Sequence, residues 1–233
     1  MKNQSDAKRA QYVQKMFARI ARRYDLMNRL MTAGQDTRWR QAVIRRTGLP
    51  SQGLLLDLGA GTGDLAREAL RQYPTCRPIA ADFTLEMMRV GRKRRYQPTL
   101  DWSAADARFL PFPNEVFDAV VSGFLLRNVI DIRQSLREQY RVLKSGGRIV
   151  ALDTTPPPRT LLAPFIRFHL HTIIPSLGRL ITRQADAYTY LPETTEIFLE
   201  PEQLAANLIS VGFGKVGFQR LMFGTIAIHW GQK

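Results

Sequence analysis

The feature that most constrains the fold of this chain is an apolar run that ends in a glycine-rich turn. Residues 54–64 read Leu-Leu-Leu-Asp-Leu-Gly-Ala-Gly-Thr-Gly-Asp, and a helical pattern follows from Asp64 to Gln72. Glycines allow positive φ angles and let a ligand approach the backbone closely. The helix that follows presents free N–H groups and the positive end of its dipole. This segment therefore predicts a strand, a ligand-binding turn and a helix in succession.

The same alternation of short apolar runs and helical patterns continues along the chain. Strands are predicted at Leu54–Leu58, Pro78–Ala81, Ala119–Ser122 and Ile149–Leu152, and helices at Asp64–Gln72, Leu85–Arg95 and Ile132–Leu143. Such alternation is typical of a parallel sheet with crossover helices. Beyond residue 154 we expect an apolar stretch broken by two prolines, a polar loop, a helix at Glu202–Ser210 and two β-rich runs, Gly214–Arg220 and Gly224–Trp230.

Before the first strand, residues 8–46 are predicted to form a helix. Val13, Met16, Ile20, Tyr24 and Met27 recur at three- and four-residue steps, with Arg and Lys between them. We therefore assign residues 1–50 to an N-terminal helical, basic lid on the substrate side. Residues 51–233 are assigned to the ligand-binding core, in which residues 156–200 form a helical insertion on the same side.

The composition limits where the protein acts and what attracts it. The sequence holds no uncharged apolar run long enough to span a membrane, no apolar signal-peptide core and a single cysteine, Cys76, so we expect a cytoplasmic protein. The net charge is +14, and residues 1–46 hold twelve Lys and Arg against three Asp. A second cluster comprises Arg89, Arg92, Lys93, Arg94 and Arg95. This concentration indicates either attraction to nucleic acid or an anionic membrane, or solvated helix faces with no partner.

Three acids decide between two classes of ligand for the turn. A dinucleotide-binding turn has the spacing Gly-x-Gly-x-x-Gly, whereas Gly59, Gly61 and Gly63 form Gly-x-Gly-x-Gly. Asp57 lies inside the turn, where it would repel a pyrophosphate but accept the ammonium of S-adenosylmethionine. Asp82 ends the second strand, where a carboxylate accepts from ribose hydroxyls. Asp106 follows the third strand and would accept from the adenine amine. Each acid alone is as readily a helix cap or turn residue, but three at successive strand ends favour S-adenosylmethionine.

Longer motifs resemble one family of class I methyltransferases, the C-methyltransferases of quinone biosynthesis. The motifs are Ile20–Met31, Leu110–Pro113, Phe117-Asp118, Leu126–Val129, Arg141–Arg148, Ala185–Glu193 and Gly224–His229. The resemblance covers nearly the whole chain. It implies an α/β, Rossmann-like fold with a mostly parallel seven-stranded sheet flanked by helices, and an antiparallel hairpin strand at the C-terminal end.

The resemblance also implies site residues. Cofactor contacts are expected at Thr62, Asp82, Phe83, Asp106, Ala107 and Ser122, beside Asp57, Gly59, Gly61 and Gly63 of the turn. Tyr24, Arg127 and Asn128 match positions at the reacting quinol. Leu125 stands where a glycine is usual, Thr189 where an arginine is usual, and Asp153-Thr154-Thr155 replaces a Glu-Phe-Ser-like segment. These departures line the side on which the acceptor is expected.

The resulting hypothesis is S-adenosylmethionine-dependent C-methylation of a prenylated quinol, demethylmenaquinol to menaquinol, with S-adenosylhomocysteine as the second product. Arg127 stays protonated, so it would stabilise a phenolate, or else form a structural ion pair. No metal is expected, since His169, His171 and His229 are badly spaced for a site. The basic lid and Leu161–Ile181 would either contact an anionic membrane at its inner face or simply cover the sheet.

Other acceptors remain open, namely a polyprenyl benzoquinol, a lipid or a small metabolite. So do a non-catalytic, cofactor-binding subunit of a quinone-biosynthesis assembly and a homodimer. A nucleic-acid partner is not expected, because the chain lacks an aromatic-rich single-strand binding module.

Overall fold

The computed structural model describes residues 2–94, 99–158, 160–161, 163–182 and 185–233, and for residues 2–7, 182 and 185–189 it describes the backbone alone. A seven-stranded sheet with the order β3-β2-β1-β4-β5-β7-β6 lies at the centre. The strands are β1 Leu54–Leu58, β2 Arg77–Asp82, β3 Asp101–Ala104, β4 Phe117–Gly123, β5 Leu143–Thr154, β6 Gly214–Leu221 and β7 Ile226–Gln232. The first five run parallel, and β7 is antiparallel to both β5 and β6. The predicted fold class is confirmed.

Helices cover both faces of this sheet. They are α1 Lys2–Ile20, α2 Tyr24–Met31, α3 Gln35–Thr47, α4 Asp64–Gln72, α5 Leu85–Arg92, α6 Ile132–Val142, α7 Ala163–Phe168, α8 Ile174–Thr182, α9 Ala185–Glu196 and α10 Pro201–Val211. A π turn, His169–Ile173, joins α7 to α8 just before Pro175, which has no N–H to continue the helical ladder. Arg95, where the helix after β2 was predicted to end, lies outside the described residues.

Side chains that alternate along the strands divide the core into two layers. On one face, Leu55 of β1 packs in a buried cluster with Val43 of α3 and Leu65 of α4. On the other face, Leu56 packs with Leu136 of α6 and Leu204 of α10. The sheet is thus a rigid platform, and the carboxyl ends of its parallel strands open at one edge.

A third apolar cluster lies beyond that edge and joins the N-terminal helices to the insertion. Met16 and Ile20 of α1 and Met27 of α2 are buried against Leu170 of the π turn and Ile174 of α8. These helices together form a cap over the carboxyl ends of the strands. We refer to α1, α2 and α7–α9 as the helical cap.

Residues 8–46 are helical, as predicted, but the chain turns twice within them and forms three helices, α1, α2 and α3. α1 ends at Ile20, and α2 ends before Ala33 and Gly34, whose φ angles are 48° and 76°. Apolar periodicity does not distinguish one long helix from two that fold back with the same face inward. The first turn lets Met27 pack on Met16, and it brings the start of α2 to the sheet edge.

The predicted polar loop after Ile181 is also wrong, since residues Ala185–Glu196 form α9. This helix holds Pro192 in its interior and few apolar residues at a helical period. Packing against α8 and α1, rather than local propensity, stabilises it. Thr189 stands where the family usually has an arginine, and its side chain lies outside the described part of the chain.

Candidate functional site

Two cavities lie between the helical cap and the carboxyl ends of the strands. The larger, which we call the main cavity, has a volume of about 130 Å³. Of the predicted site residues it is lined by Tyr24, Gly59, Gly61, Asp82, Phe83, Asp106, Ala107 and Asn128. The smaller, the inner cavity, has a volume of about 40 Å³ and lies beneath the glycine-rich turn. Its predicted lining residues are Tyr24, Asp57, Gly59, Gly61 and Thr62. The structure therefore brings most of the predicted residues together.

The glycine-rich turn needs its glycines for both conformation and space. Gly59, Gly61 and Gly63 have φ angles of 69°, 58° and 85°, which side chains rarely adopt. A Cβ at Gly59 would also lie 2.8 Å from Cδ1 of Leu125. The N–H groups of Gly59 and Ala60 both donate to the carbonyl of Ala81, at 2.8 and 3.0 Å, which fixes the turn against β2.

Asp82 connects the second strand to that turn. Its Oδ2 accepts from the N–H of Gly61 at 2.7 Å, and its Oδ1 accepts from the N–H of Thr84 at 2.6 Å. Burial raises the pKa of Asp82, and these backbone hydrogen bonds oppose that rise. The carboxylate thus shapes the turn while it lines the main cavity.

Asp57 lies beneath the turn and is buried. Its Oδ2 accepts from the N–H of Ala66 in the first turn of α4, at 2.9 Å. Burial raises the pKa of Asp57 to about 7, with further raising contributions from Asp82 and Asp64 and lowering ones from Ala66 and Arg40. Its other oxygen, Oδ1, is buried with no hydrogen-bond partner among the described residues.

Asp106 is engaged by its neighbour Arg108. The guanidinium donates to both carboxylate oxygens, at 3.1 Å from Nε and 2.7 Å from Nη2, and the Arg108 N–H donates at 2.9 Å. Burial alone would raise the pKa of Asp106, but the hydrogen bonds from Arg108 outweigh it and hold the pKa below its usual value. Asp106 keeps lone pairs for a further donor, since each carboxylate oxygen accepts more than one hydrogen bond.

Thr62 connects the turn to the helical cap. Its hydroxyl donates to Oδ1 of Asp25 at 2.9 Å, and Asp25 also forms an ion pair with Arg94 at the end of α5. Gly63 begins α4 against Trp102, and Ser122 ends β4 with its hydroxyl buried and without a partner in the described chain. Neither Gly63 nor Ser122 lines the two cavities, so their cofactor contacts stay predictions.

The three predicted catalytic residues differ in their access to the main cavity. Tyr24 lines both cavities, with its ring edge against Phe17. Asn128 lines the main cavity, where its Nδ2 donates to the carbonyl of Phe124 at 3.0 Å and its Oδ1 accepts from Tyr190 at 3.2 Å. Arg127 lines neither cavity.

Arg127 instead forms a buried ion pair with Asp153 at the end of β5. Its Nη1 lies 2.6 Å from Oδ1 of Asp153, and the two side chains are 7% and 2% exposed. The guanidinium lies 5.2 Å from the ring centroid of Phe124, which lines both cavities. The structural ion pair left open by the sequence is therefore present. Nε of Arg127 is buried with no partner among the described residues, so one donor remains.

Several residues of the site carried no sequence prediction. Asp25 and Asn28 lie within the motif Ile20–Met31, of which only Tyr24 is predicted to be a site residue, and Asp153 belongs to a segment that departs from the family pattern. Phe124 adopts a φ of 60°, a strained conformation for a non-glycine residue, and no sequence signal marks it.

Some of the arginines of the N-terminal segment and of the second basic cluster form ion pairs within the fold. Arg40 pairs with Asp36 at 2.7 Å and with Asp64 at 3.1 Å. Arg94 likewise pairs with Asp64 at 3.0 Å. The charge available to an external partner is correspondingly smaller than the count of Lys and Arg suggests.

Comparison with known proteins identifies the chain. The family model of the ubiE/COQ5 methyltransferase family matches residues 3–233. The chain belongs to this family. The ubiquinone/menaquinone biosynthesis C-methyltransferase of Desulfotalea psychrophila is 47% identical over 221 residues, 95% of this chain and 90% of the relative. The demethylmenaquinone methyltransferase of Thermus thermophilus is 40% identical, over 94% of this chain and 100% of its own length.

A solved structure extends this comparison to the fold. A putative S-adenosylmethionine-dependent methyltransferase from Methanococcus maripaludis matches with a TM-score of 0.64 at 21% identity, over 91% of each chain. At that identity the likeness shows the fold alone. The enzyme class follows from family membership. This chain of the ubiE/COQ5 family is a methyltransferase that uses S-adenosylmethionine.

Two further observations concern the described part of the chain. None of its helices is both long and apolar enough to cross a bilayer. In the same residues, no three His, Cys, Asp or Glu side chains are grouped so that they would hold a metal ion.

Proposed function

We propose that this protein methylates a ring carbon of a prenylated quinol, with demethylmenaquinol as the acceptor and menaquinol as the product. The activities for which the Desulfotalea and Thermus relatives are named support this assignment. The observation that carries it is the composition of the main cavity. The acids predicted for the cofactor, Asp82 and Asp106, and the polar groups predicted for the quinol, Tyr24 and Asn128, line the same space.

The residues at the strand ends fit S-adenosylmethionine. Asp82 would accept from the ribose hydroxyls and Asp106 from the adenine amine, since both line the main cavity with spare acceptor capacity. Phe83 offers an apolar contact beside them, and its side chain is half exposed. Ser122 and Asp57 each hold a buried oxygen without a partner in the described chain, which a polar ligand would satisfy. S-adenosylmethionine, when bound, supplies a methyl group already activated on a sulfonium.

The protein itself has to align the acceptor, exclude water and favour the ionised quinol. The helical cap covers the strand ends and keeps water from the reacting atoms. A quinol carbon is a better nucleophile once the neighbouring hydroxyl loses its proton, so phenolate stabilisation lowers the barrier. Arg127 stays protonated and is not a base. Because it lines neither cavity, we assign it to electrostatic stabilisation of the phenolate from behind Phe124, with part of its charge offset by Asp153.

Asn128 and Tyr24 are assigned to orientation. Tyr190 and the carbonyl of Phe124 fix the amide of Asn128 at the cavity wall, so it presents a defined donor and acceptor to the acceptor hydroxyl or to a water. Tyr24 lies across both cavities and would contact the ring. In this arrangement Asn128 and Tyr24 would orient the phenolic hydroxyl, or a water that accepts its proton and passes it to solvent.

The insertion offers a surface through which a lipid-soluble acceptor would arrive. Leu161, Phe165 and Leu180 are 97%, 73% and 80% exposed. Arg167 of α7 and Arg179 of α8 lie among them in sequence. Exposed apolar side chains interspersed with cations suit the interface of an anionic membrane. We therefore place the protein in the cytoplasm, in peripheral contact with the inner face of the membrane.

One experiment tests the reaction directly. Purified protein is incubated with methyl-labelled S-adenosylmethionine and chemically reduced demethylmenaquinone or a short-tail analogue. Parallel incubations contain a reduced polyprenyl benzoquinone. Label in the naphthoquinol ring supports the proposal. Label only in the benzoquinol would show that the acceptor is a benzoquinol instead of a naphthoquinol. The absence of any labelled quinol, despite measured cofactor binding, would refute quinol methylation.

A further inference from the structure

The inner cavity contains two buried polar atoms that the fold leaves without partners. Asn28 of α2 lines it, is 8% exposed, and its Nδ2 has no hydrogen-bond partner among the described residues. Asp57 lines the same cavity, is 1% exposed, and its Oδ1 is equally unpartnered. One atom is a donor and the other an acceptor. A buried polar group without a partner is costly, so a ligand or water is expected at both atoms.

The charged groups around the inner cavity favour a ligand that carries both signs. Asp25, Arg40, Asp57 and Asp64 line it. Asp25 is paired with Arg94, and Asp64 is paired with both Arg40 and Arg94. Asp57 is the one of these three acids without an ion pair in the described chain, and it lines the same cavity as Asn28. An ammonium would suit Asp57, and a carboxylate would suit the amide N–H groups with Arg40 nearby.

The two cavities share walls, which indicates how such a ligand would enter. Tyr24, Gly59, Gly61 and Phe124 line both of them. A ligand whose adenosine lies against Asp82 and Asp106 would therefore direct its other end past the glycine-rich turn into the inner cavity. S-adenosylmethionine ends in an α-amino acid, which provides an ammonium and a carboxylate on one carbon.

We infer that Asn28 of α2 is a cofactor-binding residue, whose amide donates to the α-carboxylate of S-adenosylmethionine while Asp57 accepts from the α-ammonium. The inference rests on the cofactor placement given under the proposed function and does not depend on the quinol. It makes α2 part of the cofactor site rather than only a cover for the acceptor. The N-terminal segment would then bind the α-carboxylate of the cofactor, and the core would bind its α-ammonium.

Ordered water is the competing occupant of the inner cavity. One water needs roughly 10–15 Å³, and about 40 Å³ is available. Water would satisfy both atoms without any preference for a carboxylate. The two occupants differ in how substitutions at residue 28 affect ligands that lack the carboxylate.

Calorimetric titration with three ligands separates the two. The ligands are S-adenosylmethionine, its decarboxylated analogue, which keeps the ammonium, and methylthioadenosine, which lacks both groups. Asn28→Asp places a negative charge at the carboxylate position with nearly unchanged shape. We expect its affinity for S-adenosylmethionine to fall by about 10- to 100-fold, the range for a lost hydrogen bond to a charged group. Its affinity for methylthioadenosine should stay within about twofold of the unsubstituted protein, and its affinity for the decarboxylated analogue should not fall, because an added carboxylate does not repel an ammonium.

Two further variants complete the experiment. Asn28→Ala removes the donor without adding charge and serves if Asn28→Asp fails to fold, which thermal unfolding without ligand reveals. Asn207→Ala, on α10 and bonded to Arg133, is the matched control and should change no affinity. Equal losses for all three ligands, or no loss for any, would overturn the inference. Since no quinol is present, failure of quinol methylation leaves these titrations interpretable.

Discussion

The hydroxyl of Thr62 donates to the carboxylate of Asp25 over 2.9 Å, and this contact ties the glycine-rich turn to the second helix of the chain. Asp25 also holds Arg94, so one side chain connects three segments of the fold. The glycine-rich turn and the helical cap are consequently linked directly through Asp25.

Substitution at both ends of that contact should reveal coupling. Thr62→Val and Asp25→Ala each remove the hydrogen bond, and the double variant should lose less stability than the sum of the two. We expect a coupling free energy of about 1–2 kcal/mol, typical of a hydrogen bond to a charged group. Urea denaturation of the four proteins measures it. The exposed pair Glu86–Arg89, at 3.4 Å, is the control and should give less than about 1 kcal/mol. Strict additivity at Thr62 and Asp25 would show that the contact is not formed in solution.

Asp82 and Arg127 should separate cofactor binding from turnover. Asp82→Ala removes the acceptor for Gly61 and Thr84 as well as the group assigned to the ribose, so cofactor binding should be lost. Arg127 lies outside both cavities, so Arg127→Ala should leave cofactor binding unchanged. Its turnover should fall by at least about 100-fold. Calorimetry and labelled-methyl transfer measure the two effects. Equal loss of cofactor affinity in both variants would contradict this division.

The raised pKa of Asp57 predicts a dependence of stability on pH. The folded-state pKa of about 7 exceeds the ordinary 3.8, so the native state binds more protons than the unfolded state between these values. The contribution of Asp57 to stability is therefore present below about pH 4 and is lost as the pH rises towards 7. At 1.36 kcal/mol per pKa unit the loss is at most roughly 4 kcal/mol.

Asp57→Asn isolates this contribution, because an amide still accepts from Ala66 but does not titrate. The difference in unfolding free energy between variant and parent, measured from pH 4 to 8, should shift in favour of the variant as the pH rises. A difference that stays constant over this range would mean that Asp57 titrates near its ordinary pKa in the folded protein.

The buried pair of Arg127 and Asp153 predicts an asymmetry between breaking and replacing it. Asp153→Asn leaves the guanidinium buried and unpaired, which should cost about 3–5 kcal/mol of unfolding free energy. Replacement of both residues, Arg127→Met with Asp153→Leu, should recover most of that stability, since it removes both buried charges. Methyl transfer should not recover with it. Recovered turnover in the double variant would exclude the role that we assign to Arg127.

Membrane contact predicts binding that depends on lipid charge. The protein should float with vesicles that contain anionic lipid, and less with neutral vesicles or at high salt. Phe165→Ser combined with Leu180→Ser should weaken this binding, since both side chains are exposed on the insertion. Ile209→Ser is the matched control, because Ile209 is an exposed apolar residue on α10. Identical flotation of both variants would refute docking through the insertion.

The sequence predicted the sheet better than the cap. Asp64–Gln72 matches α4 at both ends because a glycine-rich turn starts that helix and apolar spacing continues it. Asp82 and Asp106 were placed near one cavity because carboxyl ends of parallel strands share an edge. The division of the N-terminal segment into α1, α2 and α3 escaped prediction, because the helices keep the same apolar period across their turns. The partners of Arg127 and Asn128 depend on strand register and on the packing of the helical cap, which no local pattern encodes.

The position of α2 has a kinetic consequence. Tyr24, Asp25 and Asn28 all come from this one helix, and all three line the inner cavity. Once methyl transfer is complete, S-adenosylhomocysteine would have to pass this helix before the next donor enters. The residence time of S-adenosylhomocysteine would then depend on the rate at which the contact between Asp25 of α2 and Thr62 breaks. Product release, rather than methyl transfer, would then limit the rate of the cycle.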